Sequence, residues 1–98
     1  MKNKELDNFI NILLNKKFTF EKESKYYKCY KKDLGTELFV RVQIDKTEPL
    51  YCIILKHKFY NWNKGIIDIS LNRNYRYIER DIAYIKKFIN LYNKIYGI

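Results

Sequence analysis

The chain has 98 residues, 47% of them hydrophobic and 17% aromatic, and sets twenty Lys and Arg against eleven Asp and Glu for a formal charge of +9. That length allows one hydrophobic core, with roughly 6,000 Å² of folded surface against roughly 17,500 Å² for the open chain. The apolar content excludes intrinsic disorder, and no apolar run approaches a membrane span.

The chain opens Met-Lys-Asn-Lys-Glu, with charges where a secretory leader needs its apolar stretch. A cytoplasmic protein is therefore expected, with Cys29 and Cys52 as reduced, buried thiols. Leu6, Phe9, Ile10, Leu13 and Leu14 recur at helical spacing, widened by Ile12, and predict a short amphipathic helix over residues 4–16. Glu5 and Asp7 near its start and Lys16 and Lys17 at its end suit the helix dipole.

Four strand-like segments follow. Residues 17–22 alternate through Phe18 and Phe20 and break at Glu23-Ser24; residues 25–32 carry Tyr26, Tyr27, Cys29 and Tyr30. Asp33-Leu34-Gly35-Thr36 reads as a hairpin turn. Residues 36–45 alternate most cleanly, with Leu38, Val40, Val42 and Ile44 on one face and Glu37, Phe39, Arg41 and Gln43 on the other. Lys46-Thr47-Glu48-Pro49 is the next turn, and residues 50–59 form a fourth strand that is apolar on both faces. Residues 60–65 are an Asn-rich loop around Trp62, and residues 66–70 give a short fifth strand. A long C-terminal helix carries Ile78, Ile82, Ile85, Ile89 and Tyr92 as one stripe, with Tyr84, Phe88, Leu91 and Ile95 beside it; Asn72 or Asn74 can cap it and Gly97 ends it. Every connection between strands is too short for a crossover, so the expected fold is a single α+β domain over 1–98: a helix, a four- or five-stranded antiparallel meander, and a helix.

A two-residue turn at Leu34-Gly35 would pair Lys28 with Arg41, Tyr30 with Phe39 and Lys32 with Glu37 on the outward face, leaving Tyr27, Cys29 and Lys31 inward. Placing Ile44 opposite Tyr51 adds Ile54, Lys56 and Lys58 outward, and Ile53, Leu55 and His57 inward. The expected patch is Lys28, Lys32, Arg41, Lys56 and Lys58 around Tyr30 and Phe39, which suits phosphates or carboxylates. Two further candidates are Trp62 as an interface anchor and the line Arg76, Arg80, Lys87 and Lys94 on the last helix, with Ala83 and Asn90 between.

Catalytic patterns are missing. His57 is the single histidine; with Cys29 and Cys52 it makes no zinc pattern, and Gly35, Gly65 and Gly97 build no phosphate loop. No catalytic residue, metal or cofactor is assigned. The order helix, strands, helix is shared with double-stranded RNA-binding domains, but Ser70-Leu71-Asn72-Arg73-Asn74 departs from their basic Gly-Lys-Lys lead into the last helix.

Lys, Asn, Ile, Tyr and Phe supply 56 residues while Gly, Ala, Arg and Pro supply nine, the mark of A/T-rich coding. Size and composition resemble small phage or plasmid proteins, including anti-CRISPR-like inhibitors of host defence nucleases. The expected function is a non-enzymatic inhibitor that binds a host nuclease or nucleoprotein complex through its basic, aromatic surface. Direct nucleic-acid binding by the same surface is the alternative, and a homodimer built on the fourth strand or last helix is the third expectation; no membrane partner is expected.

Overall fold

The computed structural model describes residues 3–34, 38–57 and 67–96. Helix α1 (Asn3–Asn15) leads into strands β1 (Thr19–Glu23), β2 (Tyr27–Asp33), β3 (Leu38–Asp45), β4 (Leu50–His57) and β5 (Ile67–Asn74). A 3₁₀ turn (Tyr75–Tyr77) and helix α2 (Ile78–Tyr96) complete the α+β fold. The strands lie in chain order and each pairs antiparallel with the next. The fifth strand runs on to Asn74, where the sequence pattern stops at Ser70. Among the described residues no helix is long and apolar enough to cross a membrane.

β3 organises the core. Its Val40, Val42 and Ile44 are fully buried, as are Ile53 and Leu55 of β4. Phe9 and Leu13 of α1, and Ile78, Ile82 and Ile85 of α2, join the same cluster. Both helices therefore cover one face of the sheet and leave the other open. The α1 stripe is shifted from expectation, because Leu14 is exposed while Ile12 packs against the core.

α1 ends in a Schellman motif. The Lys17 N–H donates to the Leu14 carbonyl at 3.0 Å and the Phe18 N–H to the Leu13 carbonyl at 3.0 Å, with Lys17 at φ 72°. Glycine is the usual residue there because a Cβ is strained at positive φ. The reversal turns Phe18 into the core beside Leu13.

The β3–β4 turn has the sequence-predicted position. The Asp45 carboxylate accepts from the Thr47 N–H and hydroxyl, both at 2.8 Å, and from the Glu48 N–H at 3.1 Å, which holds its pKa below the usual aspartate range. Ile44 then pairs with Tyr51, as expected.

The β2–β3 hairpin differs. Asp33 pairs with Phe39, Lys31 with Arg41 and Tyr30 with Val42. The Leu34 N–H donates to the Leu38 carbonyl at 2.9 Å, so the loop holds three residues instead of two. The register moves by an odd number, which turns every β2 side chain to the opposite face from the one the two-residue turn requires. Tyr30 is buried at 5% exposure and Leu34 packs on the core, whereas Tyr27 is 43% exposed. Burying Tyr30 and Leu34 under the helices wins over placing Tyr27 and Cys29 there; Tyr27 is left exposed while Cys29 is buried on the other face.

α2 is locked to the sheet through a buried polar group. Asp81, only 8% exposed, accepts from the Tyr51 hydroxyl at 2.5 Å and from Arg73 Nε at 3.1 Å. The Asn74 side chain caps the 3₁₀ turn by accepting from the Arg76 N–H at 3.1 Å, one of the two caps the sequence offers.

Candidate binding surface on the open sheet face

The open face is built from alternate positions on four strands. Phe39, Arg41 and Gln43 point there from β3, and Ile54 and Lys56 from β4, all half-buried. β2 contributes Lys31 through its observed register, opposite Arg41. β1 contributes Glu21 and Lys22 together, because the ladder shifts between Phe20 and Lys22 and leaves Glu21 as an extra residue. A bulge of this kind turns two successive side chains to one side.

The charges on this face are unequal. Arg41 donates from Nε and one terminal nitrogen to the two Glu21 oxygens, each at 2.6 Å, a planar bidentate pair. Both side chains are largely covered, at 13% and 16% exposure. Burial alone would raise the Glu21 pKa, but Arg41, with help from Lys22 and Lys31, holds it below the ordinary value of 4.5. Two carboxylates thus stand among Lys22, Lys31, Arg41 and Lys56: Glu21, held by Arg41, and Asp33, opposite Phe39 at the end of β2. Lys31 Nζ lies 5.8 Å and Arg41 Cζ 5.6 Å from the centroid of the Phe39 ring, and Lys56 of β4 pairs with Phe39 across the β3–β4 ladder. Burial, then the charges of Arg41 and Lys22, pull the Lys56 ammonium below the usual lysine value. Like charges directly across a ladder oppose each other, and an anion placed among them relieves that repulsion.

The membership of the patch is thus corrected. Phe39, Arg41 and Lys56 stand where the sequence places them. Tyr30 belongs to the core. Lys28 lies on the helix side, 5.8 Å from the Phe20 and Tyr30 rings. Lys32 donates to the Lys16 carbonyl at the end of α1 at 3.0 Å. All three fell on the wrong face for one reason, the three-residue loop. Lys58 and Trp62 lie outside the described residues, as does the side chain of His57. Sequence reasoning missed Glu21, Lys22 and Lys31; a bulge in a five-residue strand leaves no mark in the pattern, and Lys31 follows from β2 once its register is known.

The thiols also differ from expectation. Cys29 is buried on the open side of the sheet, and burial foremost raises its pKa, while Cys52 is half-exposed. They occupy positions two strands apart, each opposite Gln43. That is roughly 10 Å, beyond disulfide reach. Among the described residues no three His, Cys, Asp or Glu side chains gather in a metal-binding group.

The second basic surface is on α2, where Arg80, Lys87 and Lys94 are exposed, with Arg76 exposed in the 3₁₀ turn before it. Tyr84, read from the sequence as a neighbour of the core stripe, is 55% exposed beside Arg80 and Lys87. Comparison with protein-family models, characterised proteins and solved structures finds no match to this chain.

Proposed function

We propose that the chain is a non-enzymatic binding module whose open sheet face docks on an acidic protein surface, in the manner of a small inhibitor of a nuclease or nucleoprotein complex. The observation that carries this reading is the grouping of Lys22, Lys31, Arg41 and Lys56 around Phe39, four cations against the two carboxylates Glu21 and Asp33, on the sheet face that neither helix covers. A protein is the better partner for this face than a nucleic acid. Stacked bases need a succession of free ring faces, and Phe39 is already flanked by two cations. Tyr27 lies at the far end of β2, six residues from the Phe39-paired Asp33 and so roughly 20 Å away. Phe39, paired with Asp33 and Lys56, and Ile54, paired with Arg41 and Asp68, instead match an apolar centre with a charged rim. The A/T-rich composition fits a bacterial, plasmid or phage genome, a setting in which such an inhibitor occurs.

The test compares two variants of equal net charge. One carries Lys22→Glu, Lys31→Glu and Lys56→Glu; the other carries Lys4→Glu, Lys16→Glu and Lys25→Glu, three exposed lysines away from the face. Poly-glutamate serves as the acidic-polypeptide probe, read by titration calorimetry. The first variant is expected to bind at least about tenfold more weakly than the wild type, a loss of about 1.4 kcal/mol, and the second within about threefold of it. Equal weakening by both variants would mean that net charge alone is responsible and would overturn the proposal.

A further inference from the structure

α2 carries a cationic line on the side opposite the open sheet face. The buried positions Ile78, Ile82 and Ile85 define its inner side. At 3.6 residues per turn, Arg76, Arg80, Ala83, Lys87, Asn90 and Lys94 fall along the opposite, outermost line. All six are exposed. No carboxylate stands on this line: Glu79 is turned to one flank, and Asp81 is directed inward to Tyr51 and Arg73. Ala83 and Asn90 are short, so nothing between the cations holds a partner away from the helix. Tyr84 offers an exposed ring on the other flank, between Arg80 and Lys87.

We infer that this line binds the phosphodiester backbone of a nucleic acid. Cations at Arg80, Lys87 and Lys94 recur every seven residues, a spacing of roughly 10 Å along the helix. This repeating, one-signed row suits a polymer with regularly spaced charge. A folded acidic protein presents mixed charge, and mixed charge would be matched by carboxylates within the row. Tyr84 can stack on a base where the strand is single. The inference stands independently of the reading of the sheet face. Where both hold, the molecule carries a protein-binding side and a nucleic-acid-binding side, as a ligand of a nucleoprotein complex requires.

The experiment measures fluorescence anisotropy of a labelled oligonucleotide, as a single strand and as a duplex, between 50 and 200 mM salt. Four phosphate contacts predict a log–log salt slope of about −2.8 for the single strand or −3.6 for the duplex, hence roughly 50- to 150-fold weaker binding across that range. The variant Arg80→Gln, Lys87→Gln, Lys94→Gln is expected to lose at least about tenfold in affinity at the lower salt and to flatten the slope to about −1. The sheet-face variant with Lys22→Glu, Lys31→Glu and Lys56→Glu is expected to keep the wild-type slope. Supporting results are that slope on either form, the tighter form naming the natural one. Absent binding, a slope that the helix variant leaves unchanged, or loss confined to the sheet-face variant overturns the inference. So does a helix variant that loses poly-glutamate and retains the oligonucleotide. Circular dichroism of both variants confirms that helix and sheet persist, since every substituted side chain is exposed or half-exposed.

Discussion

Tyr51→Phe removes one oxygen from the middle of the molecule. Tyr51 is 1% exposed and its hydroxyl donates to an Asp81 oxygen at 2.5 Å, tying β4 to the first turn of α2. Burial, then the hydrogen bond and charge of Asp81, push the phenol far above its ordinary value of 10.0, so the group donates at every accessible pH. A hydrogen bond to a charged acceptor contributes about 1.5–3 kcal/mol net. Arg73 remains on the carboxylate at 3.1 Å but is 37% exposed on its side chain, so the expected cost is about 1.5–2 kcal/mol. At about 2.1 cal/mol/K per residue the chain unfolds with an entropy of about 0.2 kcal/mol/K, so Tm falls by roughly 7–10 °C. Urea denaturation followed by far-UV circular dichroism should show the same loss in ΔG at unchanged m. Tyr84→Phe is the control: its ring is 55% exposed, and loss of a solvated hydroxyl is expected within about 0.5 kcal/mol of the wild type. If the two variants melt together, Asp81 does not hold α2 to the sheet through Tyr51 and the account of that junction is wrong.

Two further predictions concern the sheet and the first helix. Lys17 occupies a left-handed position with φ 72° in the turn that closes α1, so Lys17→Gly is expected to raise stability by about 0.5–1 kcal/mol despite the added freedom of the unfolded chain; a loss in thermal or urea denaturation would contradict the strain. Glu21 titrates below its ordinary 4.5 because Arg41 outweighs its burial, so its contribution is complete above about pH 5 and disappears as pH falls through the lower folded value. Glu21→Gln should therefore be less stable than the wild type at neutral pH, with a gap that closes in acid; a gap constant from neutral pH to about pH 3 would show that the ion pair contributes nothing titratable.

The strong periodicities carried most of the fold. β3 alternates without exception, so its inner row of Val40, Val42 and Ile44 and outer row of Phe39, Arg41 and Gln43 are readable from the chain. The Asx turn at Asp45 then fixes the β4 register, and Lys56 follows. β2 lacks this property, since Tyr27 and Cys29 on one parity compete with Tyr30 and Leu34 on the other. Its face is decided by a loop length that Asp33-Leu34-Gly35-Thr36 does not specify. Asp81 gave a signal that went unused: it lies three residues after Ile78 and four before Ile85, on the flank of the buried stripe, where a carboxylate needs partners from another element.

The slip in β2 changes the rim of the open face and leaves its centre alone. Phe39, Arg41 and Lys56 are set by β3 and β4, whose alternation and hairpin are strongly specified. The loop decides only which β2 lysine stands opposite Arg41, and in both registers a lysine does: Lys28 with a two-residue turn, Lys31 with the three-residue loop observed. A like-charge pair beside Phe39 is therefore a property of β2 carrying cations on both parities. The consequence lies on the other side of the sheet, where Lys28 and Lys32 settle over the rings of Phe20, Tyr30 and Phe18 and cover apolar edges with their stems. The excess positive charge of the molecule is thereby divided three ways, into edge cover, an open-face cluster and the α2 line. Only the last two leave their cations grouped toward a partner, and they face away from each other across the sheet.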